Sequence, residues 1–547
     1  MGQMKTPGVY IVEKDAFPNS VVEVATAVPA FVGYTEQAIA YGKSVKNKPR
    51  KVTSLAEFEV IYGGAPKPKF ESVKLAADSV VEADLIIGKD QYQFKLNSGE
   101  YLLHYSMQLF FQNGGGSCYI VSVGGYEDDV EIDRFTAGVE SLIKEQEPTM
   151  LVIPEAVLLS QGDCYTLQQA MLAHCGGKMR NRIAILDVWE GYKERQAPSG
   201  SAENNDVQTK NCIDNFRNGL GINYLDFGTA YYPWVKTNIV QDKNLDYTSI
   251  KDIASLLKEE MLVPFETQLS KLEAPSAPAA GADADGAEPA APATLDPLKV
   301  AKISQLKEII AQNQATLKEL VALDPSSVEG VMLNKMLMQT SGLYKKIITE
   351  AKNNLNLLPP SSAIAGIYTM VDDTRGVWKA PANVSLSAVL EPAVSISSDE
   401  QEDLNVTPQG KSINAIRTFI GEGSVIWGGR TLDGNSLDWR YINVRRTMIM
   451  LEESLRLATK AHVFENNDAN TWVSIKSMHA NFLTGIWKRG GLAGASPSEA
   501  FSVNVGLGET MTGEDILEGI LRISIFVALI RPAEFIEITF QQQMQTS

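Results

Sequence analysis

The chain closes on Arg531-Pro532-Ala533-Glu534-Phe535-Ile536-Glu537-Ile538-Thr539-Phe540, a run in which apolar and polar residues alternate. Ile536, Ile538 and Phe540 point one way, and Glu537, Thr539 and Gln541 the other. A period of two is that of a strand with unlike faces. Chain ends are usually disordered unless something ties them down, so an apolar, β-forming end needs an edge to pair with. That edge belongs either to the chain's own sheet or to a neighbour's. The beginning reads alike. Val9-Tyr10-Ile11-Val12 is a short β run after Pro7-Gly8, and Asp15 to Ser20 is turn-like. Val21–Val24 and Ala30–Val32 are further strands, with Gly33 as a break.

A chain of 547 residues exceeds one hydrophobic core, so two to four domains are expected. No uncharged apolar run reaches the length of a membrane span, and the N-terminus lacks the apolar core of a secretory signal. The balance of 49 basic against 66 acidic residues gives a net charge of -17. An acidic chain is a poor nucleic-acid binder, because phosphate neutralisation needs a basic surface. The basic cluster Lys43 to Lys51 reads as a solvated loop. Cys118, Cys164, Cys175 and Cys212 form no paired spacing, so neither a zinc site nor a disulfide framework is indicated.

Ser54 opens a helix to Tyr62, with Glu57 at capping-box spacing. Short strands at Ala83–Ile87 and Gln91–Leu96 make a small β insertion over about 66–100. Tyr101–Phe111 is helical and stops at Asn113-Gly114-Gly115-Gly116, and Cys118–Val123 is a buried strand. Strands at Met150–Ile153, Ile183–Trp189 and within Leu220–Tyr232 alternate with helices at Phe135–Ile143, Leu167–Leu172 and Val207–Phe216. Such β-α-β repetition implies a covered, partly parallel sheet. Residues 274–297 are rich in Ala, Pro and acids and lack the apolar surface to order themselves. Ile303 to Leu320 marks an amphipathic helix, and Leu333, Leu337, Tyr344 and Ile348 a second, giving a helical hairpin. Helical faces recur at Val444–Ala458 and Ile475–Ile486, before a strand at Ile523–Leu529. The expected segments are an N-terminal arm 1–25, an α/β region 26–265, a linker 266–297, the hairpin 298–358, an α+β region 359–530 and a terminal strand 531–547.

Catalytic patterns fail in turn. Gly410-Lys411-Ser412 would need glycine at 405 to be a phosphate loop, and the residue there is Asn405. Gly421 to Gly429 has turn composition. His174-Cys175 are adjacent, so on a helix they point about 100° apart and read as core. Asp372-Asp373 reads as a turn with a surface salt bridge. No set of nucleophile, base and oxyanion donor assembles.

Several stretches together resemble the contractile tail sheath family of phages and phage-derived injection systems. They are Pro7-Gly8-Val9-Tyr10, Ala30-Phe31-Val32-Gly33, Phe110 to Gly115, Pro359 to Gly366, Asp372 to Asn383, Trp427 to Leu432, Tyr441 to Arg446 and Pro532-Ala533-Glu534-Phe535. The resemblance covers roughly 1–60, 100–265 and 330–547. It implies an α/β and α+β multidomain fold, with a sheath core built from N- and C-terminal segments, extended terminal β-strand arms and inserted outer domains. It implies stacked six-membered rings around an inner tube, with no cofactor and no nucleotide. The arms would add strands to neighbouring subunits through Val9, Tyr10, Ile11, Val12, Val22, Val24, Phe535, Ile536, Ile538 and Phe540. Lys488 and Arg489, in the part nearest the tube in that family, would meet an acidic tube surface. A solvated helix end is an equal reading of those two cations. Further implied partners are baseplate and terminator or cap proteins, with a second sheath paralogue as an additional candidate; neither nucleic acid nor a membrane is implied. Assembly would occur in the bacterial cytoplasm, and the particle would be a virion or a released injection system. The rival readings are an enzyme on the α/β region and a static shell or tube protein.

Overall fold

The computed structural model describes residues 21–76, 83–87, 90–195, 211–274, 297–408 and 410–539. The β run expected at Val9–Val12, Phe540, and nearly all of the Ala/Pro-rich stretch lie outside them. The chain forms two compact units, one of 1–64, 102–235 and 359–547, the other of 65–101 and 236–358.

The first unit is organised by a nine-stranded sheet. Its strands are β1 (Pro29–Tyr34), β2 (Arg50–Val52), β3 (Cys118–Gly124), β4 (Met150–Val152), β5 (Ile183–Asp187), β6 (Gly228–Tyr232), β7 (Val384–Ser385), β8 (Asn414–Phe419) and β9 (Gly423–Trp427). They lie in the order β7-β9-β8-β6-β5-β4-β1-β3-β2. From β8 to β3 all pairings are parallel, and antiparallel strands close both sides. Every residue of β1, β4, β5 and β6 is buried, which explains their near-continuous apolar sequence. Gly33 does not end β1. The strand runs on to Tyr34 with a register shift between the two, and a Cβ at Gly33 would stand 2.7 Å from the Glu155 carboxylate.

Helix α1 (Leu55–Tyr62) begins where Ser54 accepts from the Glu57 amide, and Glu57 returns a bond to the amide of Thr53, one residue earlier than a capping box requires. Helices α2 (Leu103–Gln112) and α3 (Ser361–Arg375) cross at a glycine. A Cβ on Gly366 would lie 2.5 Å from the Phe110 carbonyl oxygen and 3.0 Å from Asn113 Cβ. Two stretches singled out in the sequence, Phe110 to Gly115 and Pro359 to Gly366, are therefore contact partners. Gly366→Ala should destabilise this unit by about 1–3 kcal/mol through overpacking against backbone, despite alanine's better helix propensity. The measurement is the urea midpoint of the full chain, and an unchanged or raised midpoint would show that the helices separate freely.

The C-terminal part of this unit packs α4 (Ile442–Thr459) and α5 (Ala469–Lys488) beneath a ribbon of β10 (Phe501–Asn504) and β11 (Ser524–Val527), paired antiparallel. Met450, Leu451, Leu483, Ile486 and Val503 form the buried core, with Ile523, Ile525, Val527 and Leu529 against it. The alternation read at 523–529 is thus the inner face of β11. Residues 21–25 and 531–539, read from sequence as strand-forming, belong to no ladder among the described residues.

The second unit joins a three-stranded antiparallel sheet (Lys69–Lys74, Leu85–Ile87 and Asp90–Ser98) with, among the described residues, five α-helices, Ile253–Met261, Val263–Glu273, Pro297–Ala322, Val328–Thr340 and Gly342–Leu355. The hairpin expected at 298–358 is modified in two ways. The long helix from Pro297 packs on the helices at 253–261 and 263–273. The second helix is cut at Ser341, whose hydroxyl accepts from the Tyr344 amide and restarts it. The linker expected from 266 is helical to Glu273.

Candidate inter-subunit site: the roots of the two chain ends

Helix α4 is buried all round at its start, from Ile442 to Thr447. Two of those positions are arginines, which a helix buries only against partners. Arg446 donates to Asp372 through both guanidinium ends, at 2.8 and 2.5 Å, and the two side chains are 3% and 2% exposed. Asp372, expected in a surface turn, lies inside α3. It is one helical turn beyond Tyr368, whose ring faces the Arg446 guanidinium at 4.7 Å. Burial pushes the Tyr368 hydroxyl up to about 12, and it shares a 2.6 Å hydrogen bond with Tyr231 on β6.

This pair holds the N-terminal end of the chain. Thr26 donates through Oγ1 to Asp372 at 2.6 Å, while its carbonyl accepts from Arg446 at 3.0 Å and from Thr149 at 2.8 Å. The Val24 amide donates to Ser454 Oγ on the same helix, and Glu23 pairs with Arg489. Val22, next toward the terminus, is 78% exposed. A groove of about 620 Å³ beside this root is lined by Val24, Thr26, Arg446, Ile449 and Met450 among others.

The other end is held in the same manner. Glu534 accepts from Arg430 Nε at 3.0 Å and Nη2 at 2.6 Å, from Asn405 at 2.8 Å and from Tyr441 at 3.2 Å. The Ile530 carbonyl accepts from Asn443 at 3.0 Å. Beyond Glu534, Phe535, Ile536 and Ile538 are at least 70% exposed. Burial alone would raise the Glu534 carboxyl, but the Arg430 guanidinium and the Asn405 and Tyr441 donors outweigh it, so it sits below the ordinary glutamate range. A folded-state depression adds stability that is present above the unfolded pKa and lost as pH falls through the folded value. Glu534→Gln should therefore cost about 1–3 kcal/mol near pH 7, a deficit that closes as the pH drops below about 4. Urea midpoints of parent and variant between pH 7 and 3 measure it, and a deficit independent of pH would remove the ion pair from the account.

Of the positions read from sequence, Val22, Val24, Phe535, Ile536 and Ile538 lie at or just beyond these roots. Val9, Tyr10, Ile11, Val12 and Phe540 fall outside the described residues. Lys488 is exposed at the end of α5. Arg489 is taken up by Glu23 and by the Trp378 ring at 5.3 Å. Sequence reading missed Thr26, and it singled out the stretches that hold Asp372, Arg430, Arg446 and Glu534 without pairing them. One signal was available, since Ile442, Arg446 and Ile449 are spaced to share a helix face.

Chemistry elsewhere is poorly provided for. Burial pushes the Cys175 thiol up to about 12 and His174 down to about 4, the reverse of an activated thiolate beside an imidazolium. Burial also raises Asp187 to about 7, against two hydrogen bonds from Ser361 at the start of α3, which it caps. Among the described residues no three His, Cys, Asp or Glu side chains cluster as metal ligands, and no helix is long and apolar enough to cross a membrane.

Comparison with known proteins agrees with the resemblance. Residues 435–543 match the phage tail sheath C-terminal domain. The tail sheath protein of Vibrio phage KVP40 is 28% identical over 177 residues, 31% of this chain, and the chain spans only 26% of that relative's length. The fold is similar to the helical sheath of the anti-feeding prophage in its contracted state (TM-score 0.55, 24% identity, 99% of this chain and 100% of that one). It is also similar to the contracted sheath of the extracellular contractile injection system PVC (TM-score 0.54, 22% identity, 99% of each chain). In its C-terminal fifth the chain is thus similar in sequence to the phage tail sheath C-terminal domain, and along its whole length it shares the fold of contractile sheath subunits.

Proposed function

We propose that this chain is the subunit of a contractile sheath, which polymerises as stacked six-membered rings around an inner tube and shortens to drive that tube through a target envelope. One observation carries the reading. The β10–β11 ribbon has two strands only, each with one edge unpaired among the described residues, and the described stretches toward the two chain ends, 21–25 and 531–539, pair with no strand. A two-stranded ribbon is marginal alone. Strands supplied by neighbours would complete it by β-augmentation, and each backbone bond would contribute about 0.5–1.5 kcal/mol net. The arms are assigned to Val9, Tyr10, Ile11, Val12, Val22 and Val24 at one end and Phe535, Ile536, Ile538 and Phe540 at the other. The inner tube, a baseplate and a terminator or cap are its partners. The exposed ammonium of Lys488 is the tube contact, while Arg489 serves the N-terminal root.

Assembly takes place in the bacterial cytoplasm, and the finished particle is a virion or a released injection system. Electron microscopy of particles carrying the chain tests the reading. Tubes of two lengths and two diameters are expected. A single diameter would mean a static shell, and small discrete oligomers would mean an enzyme or another soluble assembly.

A further inference from the structure

The start of α4, with its N-cap Tyr441, does two jobs at once. Tyr441 and Asn443 hold the C-terminal root, through Glu534 and the Ile530 carbonyl. Arg446, less than two helical turns further on, holds the N-terminal root through Asp372 and Thr26. Both roots are therefore fixed to one rigid element, and they are fixed by buried or half-buried polar contacts with defined directions. Apolar contacts slide under shear, whereas a bidentate guanidinium–carboxylate pair has one geometry.

We infer that residues 441–446 are a crosspiece that passes displacement from one arm to the other. The inference rests on the sheath reading, in which the two arms are held by different neighbours. A neighbour that moves pulls Thr26. The pull reaches Arg446 and Asp372, then α4, then Tyr441 and Asn443, and leaves through Glu534 to the next subunit. The folding cores of the subunit need not deform. The path also explains why the groove beside Arg446 opens on the N-terminal root, where Val24 and Thr26 form one wall, because a root held by a few directed bonds needs no continuous apolar seam.

The test uses Thr26→Val and Tyr441→Phe, which remove one hydroxyl from each root and leave both buried arginines paired. In the free full-length chain, hydrogen exchange at the Val24 and Val28 amides should rise about tenfold in Thr26→Val, as expected when a hydrogen bond to a charged group is lost. Thr26→Ser should restore the parent rate. Unchanged exchange would overturn the root assignment. Particles with either variant should assemble, and after triggering they should show extended and contracted stretches within one tube, where the parent contracts throughout. Variant sheaths that contract as uniformly as the parent, with the exchange change present, would overturn the crosspiece while leaving the sheath reading intact. A parent chain that forms no tubes would overturn the sheath reading and the crosspiece together, whereas the exchange result would still judge the root.

Discussion

Deleting residues 535–547 should yield a chain that folds and does not form tubes. The deleted residues begin just past Glu534, so the C-terminal root stays in place. Phe535, Ile536 and Ile538 are largely exposed and cover nothing in the core, so their loss leaves the folded unit almost unchanged. In an assembly the same residues would add about four backbone bonds at roughly 1 kcal/mol each. Burying two or three apolar side chains would add about 1.5–3 kcal/mol apiece. Part of that sum is consumed by ordering the arm. The remainder, several kcal/mol at every subunit contact, corresponds to an association constant lower by about 10³-fold or more, and the penalty recurs at each step of polymerisation. Sedimentation and electron microscopy should show monomers or short oligomers where the parent forms tubes, and the urea midpoint should move by less than about 0.5 kcal/mol equivalent. Long tubes from the truncated chain would remove the C-terminal arm from the interface.

Much of the sheet was legible because buried parallel strands carry their own signature. Cys118–Val123, Met150–Ile153 and Ile183–Trp189 are largely apolar on both faces, and strands stand at Cys118–Gly124, Met150–Val152 and Ile183–Asp187, the last ending two residues before the expected bound. Ser54 with Glu57 located a helix start to the residue. The errors have local physical causes. Val21–Val24 has β-forming residues, yet among the described residues its backbone meets a hydroxyl on Ser454 rather than a strand edge. Ser341 interrupts an apolar periodicity that runs through it, because its hydroxyl caps a new helix. The second unit joins 65–101 to 236–358, and no local pattern reports a pairing across that distance.

The site was less legible than the fold. Adjacent acids such as Asp372-Asp373 usually mean a solvated turn. The sequence does not say that Asp372 faces Arg446 across two helices while Asp373 does not. Arg445 and Arg446 look alike in sequence and differ in company. Arg445 stacks between Phe227 and Trp439, at 3.7 and 4.4 Å from their ring centres, with Asp226 at 3.6 Å, whereas Arg446 takes Asp372 through both guanidinium ends. The resemblance named Tyr441 to Arg446 as a unit without giving its reason, which the geometry supplies: within two turns of helix these residues hold Glu534, Ile530 and Thr26.

Arg446→Met should be among the most damaging single changes in the protein. It removes the partner of a carboxylate that is 2% exposed, and a buried charge left unpaired costs about 3–5 kcal/mol. The loss also frees the Thr26 carbonyl from one of its two side-chain donors. Asp372→Leu alone should cost a similar amount, by stranding the guanidinium. The double variant should be far milder than the sum of the two, because the desolvation of both charges disappears with the pair and the apolar side chains fill similar space. A coupling of about 3 kcal/mol or more between the positions is expected from urea unfolding of the free chain. Additive effects would mean that water reaches one of the charges and that the pair is no rigid anchor. The double variant also separates stability from mechanics: its core is repaired, yet Thr26 has lost both the carboxylate and the guanidinium that held it, so the fold should survive while the N-terminal root comes loose.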